Sequence, residues 1–183
     1  MIKFTNLLKE IIEEEEIDFS SFNFVDDEVE NELEKISQQQ NEVILTAASI
    51  ALAAPGIINS LVKAGKALAK KRGIDLSKPD PNAWYNILEK WTGEVDNYIG
   101  KPFDILLKPF ISDTTKRKKA VDILKAISIA TLATVGAVDI SKSRAAYEYG
   151  SRLVGPAWNE IVKAAGDSNK LINVAKHLLS SIT

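Results

Sequence analysis

His177 is the only imidazole in this 183-residue chain and there is no cysteine, so thiol nucleophiles, thiolate zinc sites and disulfides are absent from its chemistry. His177 follows Lys176 in a segment patterned as a helix, with only Asn173 as a second ligand type at helical spacing. That setting fits a satisfied or solvent-facing histidine rather than a catalytic one. Glu94 and Asp96 form a carboxylate pair beside Gly93, but paired-acid hydrolysis needs two acids across a cleft, and many pairs in the chain fit the sequence pattern equally. No glycine-rich phosphate loop, paired-histidine zinc motif or Gly-x-Ser-x-Gly elbow occurs. The residue types therefore predict no catalytic site, no metal, no cofactor and no enzyme.

Cations and aromatics remain. Lys63, Lys66, Lys70, Lys71 and Arg72 form one basic cluster, and Lys116, Arg117, Lys118 and Lys119 form another. The second lies at the start of a patterned helix, where four cations oppose the dipole and an acidic partner is electrostatically welcome. Lysines simply facing water are the plainer reading. Two basic clusters with interleaved aromatics are also the footprint of nucleic-acid binding. A sequence pI near 5.6 and the lack of any recognition motif argue against that partner.

Six of the thirteen aromatics, Trp84, Tyr85, Trp91, Tyr98, Phe103 and Phe110, fall in a stretch punctuated by Pro79, Pro81, Gly93, Gly100, Pro102 and Pro109. Such a cluster fills a core, lines an interface belt or meets a partner protein. Trp84, Trp91, Phe103, Phe110, Lys116, Arg117, Lys118 and Lys119 are the candidate partner contacts of this part of the chain.

The net charge of −2 hides a split. Residues 1–42 hold thirteen acids against three bases, a net of −10, and residues 43–183 hold twelve against twenty, a net of +8. This divides the chain into an acidic amphipathic arm, 1–42, and a helical body, 43–183. In the arm, Phe4, Leu7, Leu8 and Ile11 recur at helical spacing and add to the candidate partner contacts. A run of acids is ordinarily a solvated face; the alternative is that it screens basic patches on its own body or on a neighbouring copy.

What must position these residues is helical throughout, because no stretch alternates with period two between hairpin turns. Residues 43–62 carry no charge and are long enough to cross a bilayer core of about 30 Å. Pro55 and Gly56 interrupt the run and should kink or end a helix near Ala54. A second apolar run, 126–138, is ordinary for a buried helix. The two resemble each other at an offset of 79: Ile44, Leu45, Ala47, Ser49, Ile50, Ala51 and Ala54 recur as Ile123, Leu124, Ala126, Ser128, Ile129, Ala130 and Ala133. The expected fold is an all-α bundle around two Ala-rich apolar helices, about 43–72 and 113–140, packed side by side. Gly73 and Gly166 read as helix stops; Asp80 with Pro81, one of Asp113, Thr114 and Thr115, and Asp167 or Ser168 read as helix starts.

The opening residues Met1, Ile2, Lys3, Phe4, Thr5, Asn6, Leu7, Leu8, Lys9 and Glu10, continuing Ile11, Ile12, Glu13, Glu14, resemble the leaders of small internal and structural virion proteins of large tailed bacteriophages. In that family a prohead protease cuts after an aliphatic-x-Glu triplet, a pattern that Leu8-Lys9-Glu10, Ile11-Ile12-Glu13 and Ile12-Glu13-Glu14 share. The resemblance implies a non-enzymatic helical structural or assembly protein, a homo- or hetero-oligomer found in the virion or the host cytoplasm. The N-terminus has no secretory-signal pattern. The alternative is a membrane-active protein, holin-like or pore-forming, that inserts the two runs as a hairpin with both basic clusters on one side.

Overall fold

Helix boundaries in this chain follow from the chemistry at each end. The computed structural model describes residues 47–78 and 80–182, and within them the chain is all-α, with no strand. The first apolar run enters as α1 (Ala47–Leu52) and continues as α2 (Ala54–Lys71), with Ala53 between them. Pro55 lies in the first turn of α2, where its missing N–H has no ladder bond to make, so the proline that ends one helix opens the next. Ala53 keeps a near-helical φ of −80° and ψ of −5°, so the junction is a kink rather than a loop. Gly73 stops α2 as expected: at φ +70° it lets Ile74 N–H donate to the Ala69 carbonyl at 2.9 Å and its own N–H donate to the Lys70 carbonyl at 3.0 Å.

The punctuated middle is less broken than its prolines and glycines suggest. The Asp80 side chain caps α3 (Pro81–Val95) by accepting from Asn82 N–H at 2.9 Å. Exposed Gly93 is carried through because buried Trp91 and Val95 pin the helix on either side. A five-residue π-turn (Asp96–Gly100) leads directly into α4 (Lys101–Leu107), with Pro102 again in a first turn.

The second run lies in α5 (Thr114–Val135), whose start is fixed by Asp113 Oδ1 accepting from Thr115 N–H at 2.8 Å and Lys116 N–H at 3.0 Å. It stops short of the expected 140. Val138 N–H donates to the Ala133 carbonyl and Ala137 N–H to the Thr134 carbonyl, both at 3.1 Å, while Ala137 takes the left-handed φ of +51°. A 3₁₀ turn (Ile140–Lys142) then leads to α6 (Arg144–Val154), a second 3₁₀ turn (Gly155–Ala157), α7 (Trp158–Ala164) and α8 (Ser168–Ser180). Asp167 caps α8 through Asn169 and Lys170 N–H.

The interior is organised around α5. Every residue from Ala126 to Ala133 is buried, and a helix that is apolar on all sides belongs in the centre of a fold. Helices α2, α3, α6 and α8 cover it, and α1 packs chiefly on α8. Helices α2 and α5 are in contact. At their contact a Cβ added to Gly65 would lie 3.3 Å from both Leu132 and Val135, so the glycine sets how closely the two helices approach. Two indoles rest on glycines in the same way: a Cβ at Gly136 would fall 2.4 Å from the Trp84 ring, and one at Gly150 would fall 2.5 Å from the Trp158 ring. Among the described residues no helix is long and apolar enough to cross a membrane.

Candidate functional site

A groove with room for a ligand runs between the π-turn with α4 on one side and the N-terminal half of α5 on the other. It encloses about 520 Å³, within the range of binding clefts. Helix α5 contributes Thr114, Arg117, Lys118, Val121, Asp122 and Lys125, steps of three and one that place them on a single helical face. The opposite wall is Asp96, Asn97, Gly100, Lys101, Pro102, Asp104 and Ile105. The π-turn widens the helix by one residue, its last bond running from Lys101 N–H to the Asp96 carbonyl. Gly100 lets the Lys125 stem lie close, 3.3 Å from where a Cβ would stand.

Charges on the floor are joined to one another. Lys125 Nζ donates to Asp122 Oδ1 at 2.8 Å and to Asp96 Oδ1 at 2.9 Å, and the Tyr149 hydroxyl from α6 donates to Asp96 Oδ1 at 2.8 Å. The Arg152 guanidinium lies over the Tyr149 ring, 4.9 Å from its centroid. Partial burial works against the charge on Asp96, but the hydrogen bonds from Lys125 and Tyr149 outweigh it and hold its pKa below the usual carboxylate value. Burial likewise disfavours charged Lys125, yet the bonds to Asp122 and Asp96 raise its pKa. For Tyr149, burial and the bond to Asp96 act together and push the phenol upward. Asp96, Lys125 and Tyr149 are thereby held in their ordinary protonation states at neutral pH: a carboxylate, an ammonium and a neutral phenol.

Of the candidate contacts, Trp84, Trp91 and Phe103 are buried at 5% exposure or less, and they fill the core rather than present a surface. Their helices turn the aromatic face inward because α3 and α4 have α5 and α6 to cover. Trp91 also stacks on Tyr98 with ring centroids 5.7 Å apart. Phe110 is half-buried against the core. Arg117 is buried as well: its Nε donates to Asp104 Oδ1 at 2.9 Å and its Nη1 to the Ile111 carbonyl at 2.9 Å. The acidic partner expected for the cation cluster is therefore supplied to this member from within the chain.

Lys116, Lys118 and Lys119 are exposed. Lys116 helps depress the pKa of the capping Asp113, whereas Lys118 and Lys119 make no ion pair among the described residues. Phe4, Leu7, Leu8 and Ile11 lie outside the described residues. His177 is exposed on α8 and does not line the cleft.

The Asp96–Lys125–Tyr149 network is missing from the sequence reading. Its one local signal is the Asp122 and Lys125 pair, three residues apart on one helix face. Asp96 and Tyr149 join it only through folding, 53 residues from each other. Comparison of the chain with protein-family models, curated proteins and solved structures gives no match.

Proposed function

We propose that this is a non-enzymatic helical structural or assembly protein that acts through protein–protein contacts, and that it is a component of a tailed-bacteriophage virion. The observation that carries the non-enzymatic part is the floor of the cleft. Asp96, Asp122, Lys125 and Tyr149 engage one another, and the shifts of Asp96, Lys125 and Tyr149 all run away from the neutral range that a general acid or base needs. The contact-making part draws on the exposed Lys116, Lys118 and Lys119 at one end of the central helix. The virion part draws on the leader-like residues 1–14. The membrane-inserting alternative is weakened by the kink at Ala53 and by the burial of Ile50, Ile57, Ile58 and Leu61 in the body.

Light scattering of the full chain tests the contact reading. A multimer is expected, and a Lys116→Glu, Lys118→Glu, Lys119→Glu variant should dissociate at least tenfold more readily. Peptides of the chain should be found in purified particles. A wild-type chain that is monomeric at all concentrations and absent from particles would sink the proposal. Recovery solely in a carbonate-washed membrane pellet would reverse it in favour of the hairpin.

A further inference from the structure

We propose that the cleft between α4 and α5 is a receptor for an acidic amphipathic peptide, and that its occupant is residues 2–16 of the same chain. The proposal stands independently of whether the protein belongs to a particle. Inside the cleft, Pro102, Ile105 and Val121 form an apolar strip, with exposed Lys118 beside it. The floor is closed to a new ion because Lys125 already holds Asp96 and Asp122, and Arg117 already holds Asp104. What fits is a segment with an apolar stripe for the strip and carboxylates along its margin for Lys118.

Residues 2–16 have that composition. An amphipathic helix enters a groove through anchors at i, i+3, i+4 and i+7, and Phe4, Leu7, Leu8 and Ile11 form that series. Glu10, Glu13, Glu14, Glu15 and Glu16 supply the carboxylates. The larger charge split points the same way, −10 in residues 1–42 against +8 in the rest. Opposite net charges of this size also draw the two parts together before any contact forms.

Chain connectivity selects the same copy over a second one. Thirty residues separate Glu16 from Ala47, a tether of at most about 100 Å, while a body of this size has a radius of gyration of about 14 Å. Every point on the body is within reach. Tethering gives an effective concentration on the order of millimolar, which a second copy at micromolar concentration does not match. Docking would cover Lys118, so on the assembly reading an incoming acidic partner has to displace the chain's own segment first.

The natural absence of cysteine makes disulfide trapping in the full chain a direct test. Glu13→Cys is paired with Thr114→Cys, in the cleft, or with Lys163→Cys on α7. Lys163 lies near the far end of α5, where Gly166 N–H donates to Thr134 Oγ1 at 2.9 Å, and Thr114 and Thr134 are about 30 Å apart along the helix. At low salt and micromolar protein, an intramolecular disulfide between positions 13 and 114 should form at least tenfold faster than one between 13 and 163. Lys118→Glu should slow it at least fivefold, as should 0.5 M salt, where screening reaches only a few ångström. Asn97→Cys, on the opposite wall, repeats the measurement if Thr114→Cys disturbs α5. Equal rates for the cleft and control pairs overturn the proposal. Disulfides that form only between chains also overturn it and assign the cleft to a second copy.

Discussion

At the residue scale, the two glycine-supported indoles leave no room for a Cβ at Gly136 or Gly150. The atoms met by a Cβ at Gly150 are Cδ2, Cε2 and Cε3 of Trp158, all within one rigid bicycle, so the neighbour has no flexible end to withdraw. Overpacking of this kind costs about 1–3 kcal/mol. Gly150→Ala should lower the melting temperature by roughly 2–4 °C for each kcal/mol lost, read by calorimetry. Ala137 is the converse case. It occupies the left-handed position that ends α5, where an L-residue pays roughly 1–2 kcal/mol that glycine avoids. Ala137→Gly should raise the urea midpoint, with a net gain of about 1 kcal/mol after the extra freedom of the unfolded chain is subtracted. Sequence alone places glycine at 136 and alanine at 137, the reverse of what the helix stop asks for. The reason is tertiary: Gly136 has an ordinary φ of −79° and is needed for the Trp84 ring instead. No local pattern shows which indole will sit on which glycine, and so Trp84 reads equally well as core or as contact surface.

At the element scale, the network joining the π-turn, α5 and α6 makes a pH prediction whose sign follows from the directions of its shifts. Lys125 and Tyr149 both bind their protons more tightly in the folded chain than their ordinary values of 10.5 and 10.0. Their stabilisation is complete below those values and is lost as pH rises through the folded pKa of each, because the unfolded chain then releases protons that the folded chain retains. Urea midpoints should therefore fall above about pH 10. Tyr149→Phe should make that fall shallower, and an unchanged slope would show that the phenol is not coupled to Asp96. In acid the sign is opposite: Asp96, Asp113, Asp139 and Asp167 all have lowered pKa values, so their contributions are lost as pH drops below 3.8 toward the folded values. Helix starts near residues 80, 113 and 167 are legible because a cap and its N–H partners lie within three residues, while the choice of Asp113 over Thr114 or Thr115 and of Asp167 over Ser168 is settled by the folded backbone. The π-turn is not, since nothing in Asp96–Gly100 distinguishes a widened turn from a loop until Lys125 and Tyr149 close on it.

At the scale of the whole molecule, helical content and the burial of the run at 126–133 are legible because both depend on pattern and composition. Which helix covers which depends on pairings distant in sequence. The run at 43–72 reads as one rod, yet the kink at Ala53 sends α1 to α8 and α2 to α5. The contact between α1 and α8 joins the first described helix to the last. A chain ended after Gly166 should therefore lose the cover of both α1 and α5, and purify as an aggregate or as a species that binds ANS, with far-UV helicity retained but no cooperative melting. Cooperative melting of that truncated chain would show that α8 is dispensable.

The α1–α8 contact also sets a timetable for synthesis. The ribosome releases α1 on the order of a hundred residues before α8, at about 5–20 residues per second, so the face that meets α8 waits several seconds for that partner. During that interval a chaperone can capture the nascent protein. A pause late in translation would lengthen the exposure, whereas a pause early on would not.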